Sequence, residues 1–185
     1  MPELWLAANA PQMLAMAGQV SADIMMSDMT PLLVSHAIRD YRRQQSRRDA
    51  AIRFSNFVAW HVYDDLERAR TEARQWLAFR GMFRRWVCTT FISDVDYDLL
   101  ESKQAEFYRA ATGGPPVADV PDRLLDALID NLTITSTSRD LRPAVEHLRA
   151  LREAGLTQVA LRLYQDVERS IEILGRDIIP ALAPA

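Results

Sequence analysis

Leu4-Trp5-Leu6-Ala7-Ala8-Asn9-Ala10-Pro11-Gln12-Met13-Leu14 reads as a strand that turns directly into a helix. An apolar run from Glu3 to Ala8 stops at Asn9-Ala10. Pro11 suits the first helical position, where its missing N–H costs nothing and its fixed φ is already helical. Met13, Leu14, Met16, Ala17 and Val20 then recur at helical spacing.

The same order of signals repeats along the chain. Asp23-Ile24-Met25-Met26-Ser27 is a second short run, followed by Asp28-Met29-Thr30-Pro31, with Thr30 as helix cap and Pro31 just inside. That helix carries Leu33, Val34, Ala37, Ile38 and Tyr41 on one face. Its end holds Arg42, Arg43, Arg47 and Arg48, cations placed at the negative pole of the helix. The third run, Ile52 to Val62, is the strongest strand, with Phe54, Phe57, Val58 and Trp60; Asp64-Asp65 caps a helix to about Leu77. The fourth, Gln158 to Leu163, follows a helix from about Arg139 to Ala154 that Gly155 stops. A last helix, about Val167 to Arg176, ends before Pro180.

Apolar strands alternating with helices predict an α/β fold with a parallel sheet and right-handed crossovers. A mainly helical insertion, about 79–137, precedes the last strand; it is broken at Thr112-Gly113-Gly114-Pro115-Pro116 and closes on an extended piece, Leu132-Thr133-Ile134-Thr135. A closed eight-unit barrel takes about 250 residues. With 185 residues and four strand–helix units, the chain is expected to be one domain, 1–185, forming half of a TIM (β/α)8 barrel.

Composition narrows the function classes. The net charge is −3 and the arginines are interspersed with acids, so there is no basic field for nucleic acid. Cys88 is the single cysteine, which excludes an internal disulfide framework and a cysteine-rich zinc site, and no two histidines stand at a metal-ligand spacing. No apolar run reaches the roughly 18 residues of a membrane span, and no basic leader precedes the first run, so a cytoplasmic protein is expected.

The opening stretch and its continuation, Met13-Leu14-Ala15-Met16-Ala17-Gly18-Gln19-Val20-Ser21-Ala22-Asp23, resemble the fifth-strand motif of the luciferase-like monooxygenases. This group includes bacterial luciferase and the coenzyme F420-dependent methylenetetrahydromethanopterin reductases. Met25-Met26-Ser27-Asp28-Met29-Thr30-Pro31, Gly155 to Arg162 and Ile178-Ile179-Pro180-Ala181-Leu182 are similar in the same order, so the chain resembles strands five to eight of that fold. The resemblance implies an oxidoreductase passing hydride or electrons through coenzyme F420, with FMN as the alternative. It implies cofactor contacts at Ala8, Asn9, Ala10 and Pro11, with Ser27 and Asp28 next. Small residues let backbone N–H groups close on phosphate, and a helix start adds positive potential. It also implies a partner: an N-terminal half-barrel chain, or self-association, to complete the ring pocket. An inactive fragment and a non-enzymatic flavin-binding or interaction module are the competing readings.

Three positions depart from the motif. Ala10 replaces a usual glycine and would block a positive φ; Gln12 replaces a common lysine; Ile24 puts bulk where Ala-Asp-Gly is common. Outside the motif, His61 lies near the end of the third strand and reads either as a pocket residue or as a hydrogen-bonded structural histidine. Arg162, a charge in an apolar strand, reads as a pocket cation or a structural pair. Arg80, Arg84 and Arg85 alternate with Phe79, Phe83 and Trp86 and are expected to be solvated while the aromatics pack. Asp94, Asp96, Asp98 and Glu101 lack the glycine and spacing of a calcium loop. No residue is singled out as catalytic.

Overall fold

The computed structural model describes residues 4–47 and 51–183. Within the span read as one domain, the chain groups into two compact units. One comprises Met1–Val58 with Arg149–Leu161, the other Ala59–Leu148 with Arg162–Ala185.

The first unit is built from β1 (Trp5–Ala7), α1 (Pro11–Val20), β2 (Asp23–Ser27), α2 (Pro31–Gln44) and the start of β3 (Phe54–Tyr63). The end of α8 (Arg142–Glu153) and most of β5 (Gln158–Leu163) complete it. β1 pairs with β2 and β2 with β3, both parallel, and β5 also pairs with β3. The expected starts hold: Pro11 and Pro31 open their helices, and Thr30 Oγ1 accepts the Leu33 N–H. Arg42 and Arg43 lie in the last turn of α2, Arg47 lies beyond it, and Arg48 is outside the described residues.

Close helix packing fixes this unit. A Cβ on Gly18 would sit 3.0 Å from the Tyr41 carbonyl oxygen and 3.1 Å from Gln44 Cβ, so any larger residue there would push α1 and α2 apart by a few tenths of an ångström. Tyr41 donates its hydroxyl to the Ala22 carbonyl at 2.7 Å and meets Phe54 edge-on at 5.1 Å. At the strand starts, Asp23 takes the Arg53 N–H at 2.8 Å and its guanidinium at 2.9 and 2.5 Å. Burial pushes the Asp23 carboxyl up, but the Arg53 contacts outweigh it and hold the group below the usual range. Ile24 is fully buried, so its bulk is absorbed into the core.

The second unit holds the rest of β3, α3 (Leu66–Trp76), α4 (Arg85–Cys88), α5 (Asp94–Ser102), α6 (Gln104–Ala111) and α7 (Asp122–Leu132). β4 (Thr133–Thr137), the start of α8, α9 (Val167–Ile173), a π-helical turn (Leu174–Ile178) and α10 (Ile179–Leu182) follow. The helical insertion is as expected, but its closing extended piece is a strand of the sheet. Ala59 to Tyr63 pair in parallel with Thr133 to Thr137. The apolar-polar alternation of Thr133-Ile134-Thr135 hides this, because each threonine finds a local hydroxyl partner: Thr133 Oγ1 donates to Ile129 O at 2.7 Å and lies 2.8 Å from Thr135 Oγ1. Trp60, Leu77, Met82, Tyr97, Leu100, Leu124, Leu128 and Ile129 form the core of this unit. Arg70 joins α3 to Asp126 and Asp130 of α7 at 2.7 and 3.0 Å.

Gly155 ends α8 with φ +105°, and a Cβ there would lie 3.1 Å from Ile38 Cδ1. Gly155→Ala should therefore cost about 1–2 kcal/mol, whereas Gly175→Ala, in open space on a helical turn, should stabilise by about 0.5–1 kcal/mol. Paired urea melts of the two variants check both signs.

Candidate functional site

In the first unit the exits of β1 and β2 are joined through side chains. Asn9 Oδ1 accepts the Ser27 N–H at 2.8 Å, and Asn9 Nδ2 donates to Ser27 Oγ at 3.3 Å. Ala8 is buried and donates its N–H to Met25 O at 3.0 Å, which continues the ladder. Ala10 has φ −74°, so this turn needs no glycine and the expected block does not arise. Its carbonyl takes the first helical bond, from Leu14 N at 3.0 Å. Pro11 has no N–H, and the first turn of α1 carries neither an acid nor a side-chain cap. Among the described residues the N–H groups of Asn9, Ala10, Gln12 and Met13 are thus the donors left at this exit.

The β2 exit is bent at Asp28, which is buried with φ 55° and donates its N–H to Phe57 O at 2.9 Å. Asn56, the third residue of β3, holds Met29 from both sides: Oδ1 accepts Met29 N at 3.3 Å and Nδ2 donates to Met29 O at 3.0 Å. Sequence reasoning missed Asn56. The signal was a buried amide in an apolar strand, which must pair with something.

In the second unit His61 is fully buried, with Nδ1 2.8 Å from Glu72 Oε2. The same carboxylate oxygen accepts the Tyr63 hydroxyl. Tyr164 stacks on the His61 ring at 4.8 Å and on Trp76 at 5.1 Å. Burial lowers the His61 pKa; the bond and charge of Glu72 resist this, and the Arg80 charge adds to it. Burial, then the bond to Glu72, raises the Tyr63 hydroxyl far above its usual range. Arg162 is exposed on β5 with its guanidinium 5.0 Å from the Tyr164 ring centroid.

Several charges of the insertion are paired within it, and Asp126 and Asp130 pair with Arg70 of α3. Arg85 bonds Asp94 at 2.9 Å and also reaches Asp98, while Arg123 holds Asp96 at 2.7 Å. Phe83 packs on Phe107 and Tyr108, and Phe79 on Tyr108. Cys88 is buried and its thiol is pushed up to about 12, which makes it a poor nucleophile. Among the described residues no cluster of acids, histidines and cysteines could hold a metal ion, and no helix is long and apolar enough to cross a membrane.

A parallel α/β protein whose strands exit through small residues into helix starts carries its polar chemistry at the C-terminal ends of the strands. The chain belongs to the luciferase-like monooxygenase family, whose profile matches residues 1–158. Among solved structures, the coenzyme F420-dependent tetrahydromethanopterin reductase of Methanopyrus kandleri matches with a TM-score of 0.70 at 17% identity, over 97% of this chain and 50% of that one. An F420-dependent secondary alcohol dehydrogenase in complex with an F420-acetone adduct matches at TM-score 0.64 and 17% identity, over 100% of this chain and 50% of that one. The oxygenating constituent of the 3,6-diketocamphane monooxygenase of Pseudomonas putida, in complex with FMN, matches at 0.54 and 14%, over 98% and 49%. This chain therefore spans about half the length of each, and at these identities the likeness is one of fold. No curated protein matches the sequence.

Both His61 and the half-buried His147 have pKa values lowered by burial from the ordinary 6.5. The unfolded chain then takes up protons first as pH falls through 6.5, so folding stability should decline from pH 7 to 5.5. The salt-bridged carboxylates, held below 3.8, contribute only at lower pH. A melting temperature that is flat or rises as the buffer is acidified through this window would contradict the assignment.

Proposed function

We propose that this chain is the cofactor-phosphate-holding part of a cytoplasmic oxidoreductase that acts on a small molecule through coenzyme F420, or alternatively FMN. The observation that carries the reading is the β1 exit of a family member: four backbone donors at a small-residue turn, held to Ser27 by Asn9. The residues fit the phosphate or ribityl end of such a cofactor. Asn9 and Ala10 offer N–H groups, the α1 start adds positive potential, and Ser27 with Asp28 borders the turn. Ala8 and Pro11 shape the turn rather than donate, since one N–H is spent on Met25 and the other is absent. Gln12 supplies no charge, so binding rests on hydrogen bonds and the helix start. When bound, the cofactor's ring supplies hydride or electron transfer; the chain supplies position and a polar seat. Cofactor fluorescence titration tests this. F420 or FMN should bind, and Asn9→Ala should weaken binding at least fivefold by loosening the clasp; equal affinity for both proteins sinks the assignment of this turn.

The relatives' double length and the apolar face of the first unit support a partner. β1 ends the sheet order, and Leu6, Met13, Met16 and Val20 are 41%, 50%, 64% and 66% exposed, the last three at helical i, i+3, i+7 spacing. Half of a (β/α)8 barrel needs a parallel strand and a helix there, from another segment, another chain or a second copy. Alone, the 185 residues should self-associate, and Met16→Glu should shift sedimentation towards monomer. If the wild type is already monomeric at high micromolar concentration, no partner is needed on this face. Cofactor binding without turnover, even with a completing half, would favour the flavin-binding module.

A further inference from the structure

Three features outside the proposed cofactor turn invite a role. A cleft of about 650 Å³ between α2 and the end of α8 is lined by Arg39, Arg42, Arg43 and Glu153, but its cations sit at a helix C-terminus and two of them share Asp40. The acidic run on α5 is already paired with arginines. The buried Glu72 is different.

We propose that Glu72 is a positioning residue: its carboxylate aims the Tyr63 hydroxyl so that the turn after β5, residues 164–166, is clamped to the end of β3. A hydroxyl has one hydrogen to donate. The single hydroxyl hydrogen of Tyr63 is therefore committed to Glu72, which leaves a lone pair of the Tyr63 oxygen for the Gln165 N–H at 3.3 Å. His61 Nδ1 lies 2.8 Å from the same Glu72 oxygen, which holds the plane of the imidazole, and Tyr164 is stacked on it with 16° between the ring planes. Arg68 adds bonds to Gln165 Oε1 and Asp166 Oδ2, both 2.9 Å, but that ion pair is 47% and 49% exposed and yields to salt. His61 and Glu72 side chains are 0% and 5% exposed and do not.

The network is also expensive. His61 Nε2 and Glu72 Oε1 are buried and make no hydrogen bond among the described residues. An apolar pair of similar volume would stabilise the core at least as well, so orientation, not stability, accounts for the acid. The charged and titratable groups facing it are Tyr63 from β3, Arg68 from α3 and Arg80 beyond it. Tyr63 and Tyr164 stand at strand C-terminal ends, where parallel α/β proteins shape their sites.

Amide hydrogen exchange on the full chain tests the clamp without cofactor or partner, so its failure leaves the oxidoreductase reading standing, and the reverse. Glu72→Ala should raise exchange at Gln165 at least tenfold, while Val62 and Ile134 in the β3–β4 ladder change less than twofold. Glu72→Gln, which keeps an acceptor for Tyr63, should restore most of the protection. Tyr63→Phe should release Gln165 alone, and adding Glu72→Ala to it should release no more. Unchanged Gln165 exchange, a rise spread evenly over the ladder, or additive effects in the double variant would each overturn the proposal. If Glu72→Ala does not fold, Tyr63→Phe decides alone: a protected Gln165 overturns it.

Discussion

The backbone of β3 must be paired along ten residues, and the rest of the structure answers that demand. Nine of the ten positions are buried, Phe57 being the partial exception. A strand covered on both faces has no water to satisfy its N–H and C=O groups. β2 takes its first half from Phe54 to Phe57, β4 its second half from Ala59 to Tyr63, and β5 also lies along it. The same burial governs its polar side chains. Asn56 and His61 cannot reach solvent, so each finds a partner on another element: the Met29 peptide in one case, Glu72 in the other.

Local signals made most of the elements readable. Thr30 caps the helix that Pro31 opens, Asp65 Oδ1 accepts the Glu67 N–H at the start of α3, and Gly155 adopts the positive φ that ends α8. Each depends on residues a few positions apart. β2 and β5 were legible to the residue, because short apolar runs between such punctuation leave little choice of length. Leu132 to Thr135 was legible as extended but not as part of a sheet strand, since the partner strand lies about seventy residues away and a threonine-rich run can satisfy its hydroxyls locally. The family motif located the β1 turn. It did not reveal that Asn9 reaches Ser27, or that Ala10 needs no positive φ.

Several arginines tie elements of the fold together. Arg53, Arg70, Arg74, Arg85 and Arg123 are all held by aspartates between elements. Sequence alone shows acids and arginines interleaved; which guanidinium meets which carboxylate depends on packing between helices far apart in the chain. The turn at Ala8–Pro11 carries no charged side chain and presents backbone dipoles, whose strength depends on orientation rather than ionisation.

The two side-chain links at strand ends differ in a way that fits different tasks. Asn9 and Ser27 are partly exposed and neutral, so water or a ligand oxygen can replace their contacts at small cost. Tyr63, Glu72 and His61 are buried together, where a broken bond leaves an unsatisfied polar group. A link of the first kind tolerates exchange with a bound group; one of the second kind resists it. Sequence could display only the first kind, because its residues lie in the recognisable turn while Glu72 lies unmarked among the charges of a helix.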